Sequence, residues 1–198
     1  SWCWGFSPIA QALVEQAQAA GVELHLVVGG LRTGAGAALE PAARRYILEH
    51  WQAVAQTTGQ PFTFEGALPD GFVYDCEPAC RAVVAARSLA PDCAWELLKL
   101  IQQAFYVQGR DVTQASVLVE LAEKAGLPRI EFAAAFDSAE QYAATASDFT
   151  WVQDLGIAGF PTLLAERNGQ LALLTNGYQP IEPLSDLLSR WLERATRV

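Results

Sequence analysis

The chain has 198 residues, 52% hydrophobic and 18% charged, with a formal net charge of −9. That length buries a sizeable core as one large domain or two small ones. The acidic balance argues against nucleic acid or an anionic membrane as partner, since both need a basic patch, and no apolar run approaches the roughly 18 residues of a membrane span. The chain opens on Ser1-Trp2-Cys3-Trp4-Gly5-Phe6-Ser7-Pro8. Ser7-Pro8 is a good helix-start signal and predicts a helix over 8–20, with Ile9, Leu13, Val14 and Ala17 on its apolar face and Gly21 ending it. Cys3 lies just ahead, where unpaired backbone N–H groups and the positive end of the helix dipole favour thiolate. Residues 22–28 then predict a strand buried on both faces, with His25 as a satisfied core histidine. Gly29-Gly30 breaks it.

A long stretch without strand signal follows. Helices are expected at 39–57, 77–89, 92–107, 113–125, 129–136 and 139–155. Pro41, Pro78, Pro91 and Pro128 lie near their starts, and Gly109 and Gly126 near their ends. Ile47, Leu48, Trp51 and Val54 form the apolar stripe of the first, which also carries His50, a residue with no signal of its own. Strands resume at 162–166 and 171–175 around Asn168-Gly169, a hairpin turn signal. A helix over 181–195 buries Leu184, Leu187, Leu188, Trp191 and Leu192. With one strand inferred ahead of Cys3 and absent from the chain, this element order is an α/β thioredoxin fold carrying a large all-helical insertion. The expected division is 1–30 with 156–198 as the thioredoxin-like domain and 31–155 as the helical insertion domain.

The opening Ser-Trp-Cys-Trp-Gly-Phe-Ser-Pro resembles the end of the Cys-Ser-Trp-Cys motif of DsbA-like thioredoxin-fold proteins, in particular the FrnE-like predicted disulfide isomerases. Gly156-Ile157-Ala158-Gly159-Phe160-Pro161-Thr162 is similar to that family's cis-proline loop. The segments 29–32, 75–82, 106–111 and 175–178 resemble the same group, so the likeness spans nearly the whole chain. The family's nucleophilic cysteine would fall immediately before Ser1. The resemblance implies a thiol–disulfide oxidoreductase or protein-disulfide isomerase. Cys3 would be the resolving thiol, Ser1 and Trp2 the dipeptide that tunes the redox potential, and Pro161 a cis residue facing the dithiol. Phe160 would offer its backbone to an extended substrate. Trp2, Trp4 and Phe6 would line an apolar substrate surface. Trp4 and Phe6 serve equally well as packing for the first helix.

Four cysteines, Cys3, Cys76, Cys80 and Cys93, are too few and too unevenly placed for a secreted disulfide framework. The cytoplasm is therefore the default compartment, with a signal peptide ahead of Ser1 left open. Cys76 and Cys80 suit a metal pair, a second redox couple or two packed side chains, the last being the commonest fate of a free cysteine. Cys93 reads as structural. No metal and no cofactor are expected, although glutathione is allowed as a thiol co-substrate. The expected partners are protein or small-molecule thiols and disulfides. Two other readings compete. One is a glutathione-dependent isomerase or transferase, because 2-hydroxychromene-2-carboxylate isomerases and kappa-class glutathione transferases resemble this architecture. The other is a non-enzymatic peptide-binding module using the same groove.

Overall fold

The computed structural model describes residues 1–34 and 36–195. The first helix, α1 (Trp2–Ala19), starts a full turn and a half earlier than its sequence signal and carries Pro8 inside it. A proline there has no N–H to give to the carbonyl four residues back, that of Trp4. The side-chain amide of Gln60 donates to that carbonyl instead, at 2.9 Å. This substitute bond removes one cost of an interior proline, and the helix runs through it.

Helices α2 (Pro41–Thr58), α3 (Glu77–Leu89), α4 (Pro91–Tyr106), α5 (Ala115–Lys124), α6 (Arg129–Phe136) and α7 (Ala139–Asp154) follow. Pro41 and Pro91 occupy first-turn positions, where the missing N–H would have had no partner anyway. The Ser138 hydroxyl caps α7 by accepting from the Gln141 N–H. At the centre lies α3, which packs against α4, α5, α6 and α7. Its inward residues Ala82, Val83, Ala85 and Ala86 are small and buried, so neighbouring helices approach closely. Leu97, Leu118, Leu121 and Phe132 complete that core.

The segment 22–28 forms no ladder among the described residues, contrary to the strand expected there. Its anchoring comes from side chains. Arg87 on α3 and Asp148 on α7 form an ion pair of 2.9 Å. Asp148 also accepts from the Val28 N–H at 3.0 Å, and Arg87 donates to the Leu26 carbonyl. Leu26 and Val28 pack onto the helical core, whereas His25 is exposed. Alternation of apolar residues reports which side faces protein, not whether a strand partner is present. His25 is thus a surface residue, not a core histidine.

The sheet is a single antiparallel hairpin of β1 (Thr162–Arg167) and β2 (Gln170–Asn176), with Arg167 opposite Gln170 and Ala165 opposite Ala172. Asn168 and Gly169 both take positive φ, 52° and 76°, as a two-residue primed turn demands. The closing helix α8 (Ile181–Ala195) packs on α1 through Leu184 and Leu188 against Phe6 and Leu13. Gln16 reinforces the contact, donating to Ser189 Oγ at 2.8 Å and accepting from Ser185 Oγ at 3.0 Å. Among the described residues, no helix is long and apolar enough to cross a membrane.

Candidate functional site

The early start of α1 places Cys3 in its first turn, with Ser1 as the residue before the helix. The Ser1 carbonyl accepts from the Gly5 N–H at 3.0 Å. Water reaches Cys3, which is exposed by surface area, yet the protein around its sulfur is dense. That density governs the charge. Desolvation pushes the Cys3 thiol above its ordinary range, outweighing the helix N–H that pulls it down. The sequence argument that a helix start favours thiolate is overridden here by crowding. A thiol kept protonated suits the second step of an exchange better than the first.

The crowding is aromatic. The Trp2 ring meets His50 of α2 edge-on at 5.8 Å and Tyr178 at 5.6 Å. His50 also stacks on Tyr46 at 6.4 Å. Trp4 stacks on Tyr106 at 6.3 Å, and its indole N–H donates to the Pro61 carbonyl at 2.9 Å. Tyr74 and Tyr106 neighbour each other and the Cys3 thiol. Burial drives both phenols above their normal pKa. Trp4 and Phe6 are buried, at 9% and 4% exposure. Of the two roles open to them they take the packing one, and the expected substrate-facing aromatic surface shrinks to the half-buried Trp2.

Sequence reasoning missed His50, Tyr74, Tyr106 and Tyr178 as members of this site. The last two lie in segments that carry the family likeness, which was the available signal. Nothing local marks His50, because its role depends on α2 crossing α1.

The Phe160–Pro161 peptide is cis, and Pro161 is buried. Its carbonyl accepts from the Gly177 N–H at 2.7 Å. Gly177 precedes Tyr178, which packs on both Trp2 and Phe6. The proline loop is therefore tied to the start of α1 through one backbone bond and one ring. Thr162 steadies the loop by donating to the Gly159 carbonyl at 2.8 Å. Phe160 itself meets neither Trp2, Trp4 nor Phe6. Its ring lies over Gly29, so close that a methyl group there would sit 1.8 Å from Phe160 Cζ. Glycine is required at 29 by that approach alone.

All four cysteines are free thiols. Cys76 and Cys80 occupy the N-terminal turn of α3, and Cys93 is half-buried in α4 beside Gly126.

Comparison with known proteins agrees with this architecture. A family model described as DSBA-like thioredoxin domain matches residues 1–189. The chain is 43% identical to a predicted protein disulfide isomerase from Nitrosomonas europaea, with a TM-score of 0.88 over 98% of this chain and 93% of that one. It is 35% identical to the cytosolic disulfide reductase DsbM from Pseudomonas aeruginosa, with a TM-score of 0.79 over 99% and 93% of the two chains. The same DsbM with GSH gives 33% identity and 0.77 over 100% and 94%. Among curated proteins it is 25% identical over 166 residues to the ClpXP adapter protein SpxH of Halalkalibacterium halodurans, matching 82% of this chain and spanning only 54% of that relative. The fold is a thioredoxin fold with a helical insertion, and the chain belongs to the DSBA-like thioredoxin domain family.

Proposed function

We propose that this protein reduces or rearranges disulfides through a dithiol made of Cys3 and a cysteine directly preceding Ser1 in the natural-length chain, in the cytoplasm, with glutathione as thiol co-substrate. The observation that carries the reading is Cys3 in the first turn of α1, tied to the Pro161 loop through Gly177, Tyr178 and Trp2. The likeness to a cytosolic disulfide reductase that has also been solved with GSH supports the compartment and the co-substrate. In this reading residues 31–155 form a cover, since α2 supplies His50, the following loop Pro61, and α4 Tyr106 to the two tryptophans.

The chemistry runs in two exchanges. The thiolate of the preceding cysteine attacks one sulfur of a substrate disulfide, and the other sulfur leaves and takes up a proton. Cys3 then gives up its proton and attacks the mixed disulfide, which closes the internal disulfide and releases the second substrate thiol. Two glutathione molecules restore the dithiol and leave as one oxidised glutathione. The raised pKa of Cys3 keeps it waiting as thiol until the mixed disulfide forms beside it. Trp2 and the Phe160 backbone offer the surface for the substrate.

The test is thiol trapping of natural-length protein before and after reduction, followed by disulfide-exchange assays. Two thiols gained on reduction, one at Cys3 and one at the residue before Ser1, establish the dithiol. No gain there, with turnover of a glutathione conjugate, assigns the glutathione-dependent isomerase or transferase reading. Peptide binding that survives Cys3→Ala without any turnover assigns a binding module.

A further inference from the structure

The second thiol cluster of the molecule lies at the start of α3. Cys76 is the residue before the helix and Cys80 follows one turn later, its N–H donating to the Cys76 carbonyl at 3.0 Å. Helix geometry sets Cα atoms four residues apart at about 6.2 Å, inside the roughly 4.4–6.8 Å span of disulfides, while their Cβ atoms, about 5–6 Å apart, must draw in by about 1 Å as the first turn tightens. The two thiols lie near enough to perturb one another. Both face one short loop, whose Arg32 N–H donates to Cys76 Sγ at 3.4 Å and whose Gly30 backbone lies beside Cys80. In return the Cys76 N–H donates to the Arg32 carbonyl at 2.8 Å. Two cysteines that merely filled space would not gather donors in this way, and burial alone would raise both thiols.

We propose that Cys76 and Cys80 are a second redox-active dithiol, separate from Cys3, which closes to an internal disulfide by exchange with a small disulfide of the oxidised-glutathione class. Cys76 attacks first. Its thiolate bonds to one sulfur of the small disulfide, and the other sulfur departs as a thiolate and is protonated. Cys80 then releases its proton and attacks Cys76 Sγ, which forms the Cys76–Cys80 bond and expels the second small thiol. The protein loses two hydrogens and one small disulfide becomes two thiols.

The environments divide these tasks. Hydrogen bonding from Cys80, the largest influence, lowers Cys76 to about 7 against the opposing cost of burial, whereas Cys80 is pushed well above its usual range. At pH 7 about half of Cys76 is then thiolate, whereas Cys80 stays a thiol. Among the described residues, no group of three His, Cys, Asp or Glu side chains is arranged to hold a metal ion. The metal-pair alternative therefore has no third ligand among them.

The site has a readable consequence. The loop that both sulfurs hold begins at Gly29, which lies under Phe160. Closing the S–S bond withdraws the thiolate that accepts from Arg32, so the redox state of the pair reaches the proline loop through residues 29–32.

Reduced natural-length protein, still folded, is equilibrated at pH 7 in glutathione buffers of increasing oxidised fraction, acid-quenched, alkylated and digested with trypsin. The tryptic peptide 46–81 contains Cys76 and Cys80 and no other cysteine, so Cys3 and Cys93 report separately. The expected result is a peptide two hydrogens lighter than the dithiol and carrying no alkyl group, with Cys93 still alkylated. Cys80→Ser should stop at glutathione attached to Cys76. In reduced protein Cys76 should alkylate faster than Cys80 at pH 7. Full alkylation of both residues at every buffer ratio, or a glutathione adduct on wild-type Cys76 that never closes, overturns the proposal. Equal alkylation rates, or no adduct in Cys80→Ser, overturn the order of attack. The wild-type digest decides the main point even if the variant fails to fold, and its outcome is independent of any cysteine ahead of Ser1.

Discussion

Replacing Gln60 with Ala removes the one group that serves the Trp4 carbonyl, which Pro8 leaves without an intrahelical donor. Trp4 is buried, so that carbonyl would be left largely dry. An orphaned buried acceptor costs about 1–3 kcal/mol, and the part-buried setting of this bond argues for about 1.5. For a chain of this size that is roughly 3–6 °C in Tm. Pro8→Ala supplies a new N–H at the right place in the helix and should itself stabilise by about 1–3 kcal/mol. In that background the Gln60→Ala cost should fall below about 0.5 kcal/mol, giving a coupling near 1 kcal/mol in a double-mutant cycle. Urea unfolding of the four proteins, followed by tryptophan fluorescence, measures it. An equal Gln60→Ala cost with and without Pro8 would refute the reasoning, since the amide would then be acting through some other contact.

Three further outcomes are expected. Gly29→Ala drives a methyl group into the Phe160 ring and should cost about 2–3 kcal/mol along with disulfide-exchange activity, whereas Gly36→Ala, with open space around it, should change neither; equal thermal shifts for the two would contradict this. Asp148→Ala leaves Arg87 unpaired and the Val28 N–H without its acceptor, for a loss of about 3 kcal/mol and faster hydrogen exchange at Val28, and unchanged exchange there would rule out the clamp. Cys3 has a folded pKa raised above its unfolded value, so its contribution is whole below the unfolded pKa and is lost as pH rises through the folded one. Stability measured between pH 8 and 10.5 should therefore decline more steeply in wild type than in Cys3→Ser, and iodoacetamide should modify Cys3 more slowly than free cysteine at pH 8.

Much of the fold was readable because prolines and glycines punctuate it. The expected 77–89 coincides with α3, and the Asn168-Gly169 turn joins the two strands where it should. The failures share a cause. Ser7-Pro8 is a sound local stop-and-start signal, defeated by an amide 52 residues away that serves the Trp4 carbonyl. The apolar run over 22–28 was read as a strand buried on both faces, but Arg87 and Asp148 hold it in place of a neighbouring strand. Cys3 and the Pro161 loop were legible by their motifs. His50 and Tyr74 were not, because only the crossing of α2 over α1 and the path of the 60–75 loop bring them to the thiol. The polarity of Cys76 and Cys80 was likewise hidden: spacing places two sulfurs on one turn, while the loop at 30–32 supplies donors from outside the helix.

The alanine-lined interior of α3 has a mechanical meaning. A helix packed against four neighbours, with side chains too short to repack, is a stiff reference body. Cys76 and Cys80 are fastened to one end of it, and the glycine-bearing loop at 29–34 faces them from a surface position. Displacement is shared in inverse proportion to stiffness, so any rearrangement at those sulfurs moves the loop and leaves the helix standing. The body that yields is the one that touches Phe160, which makes α3 the fixed jaw of a vice and the Gly29-Gly30 segment the moving one.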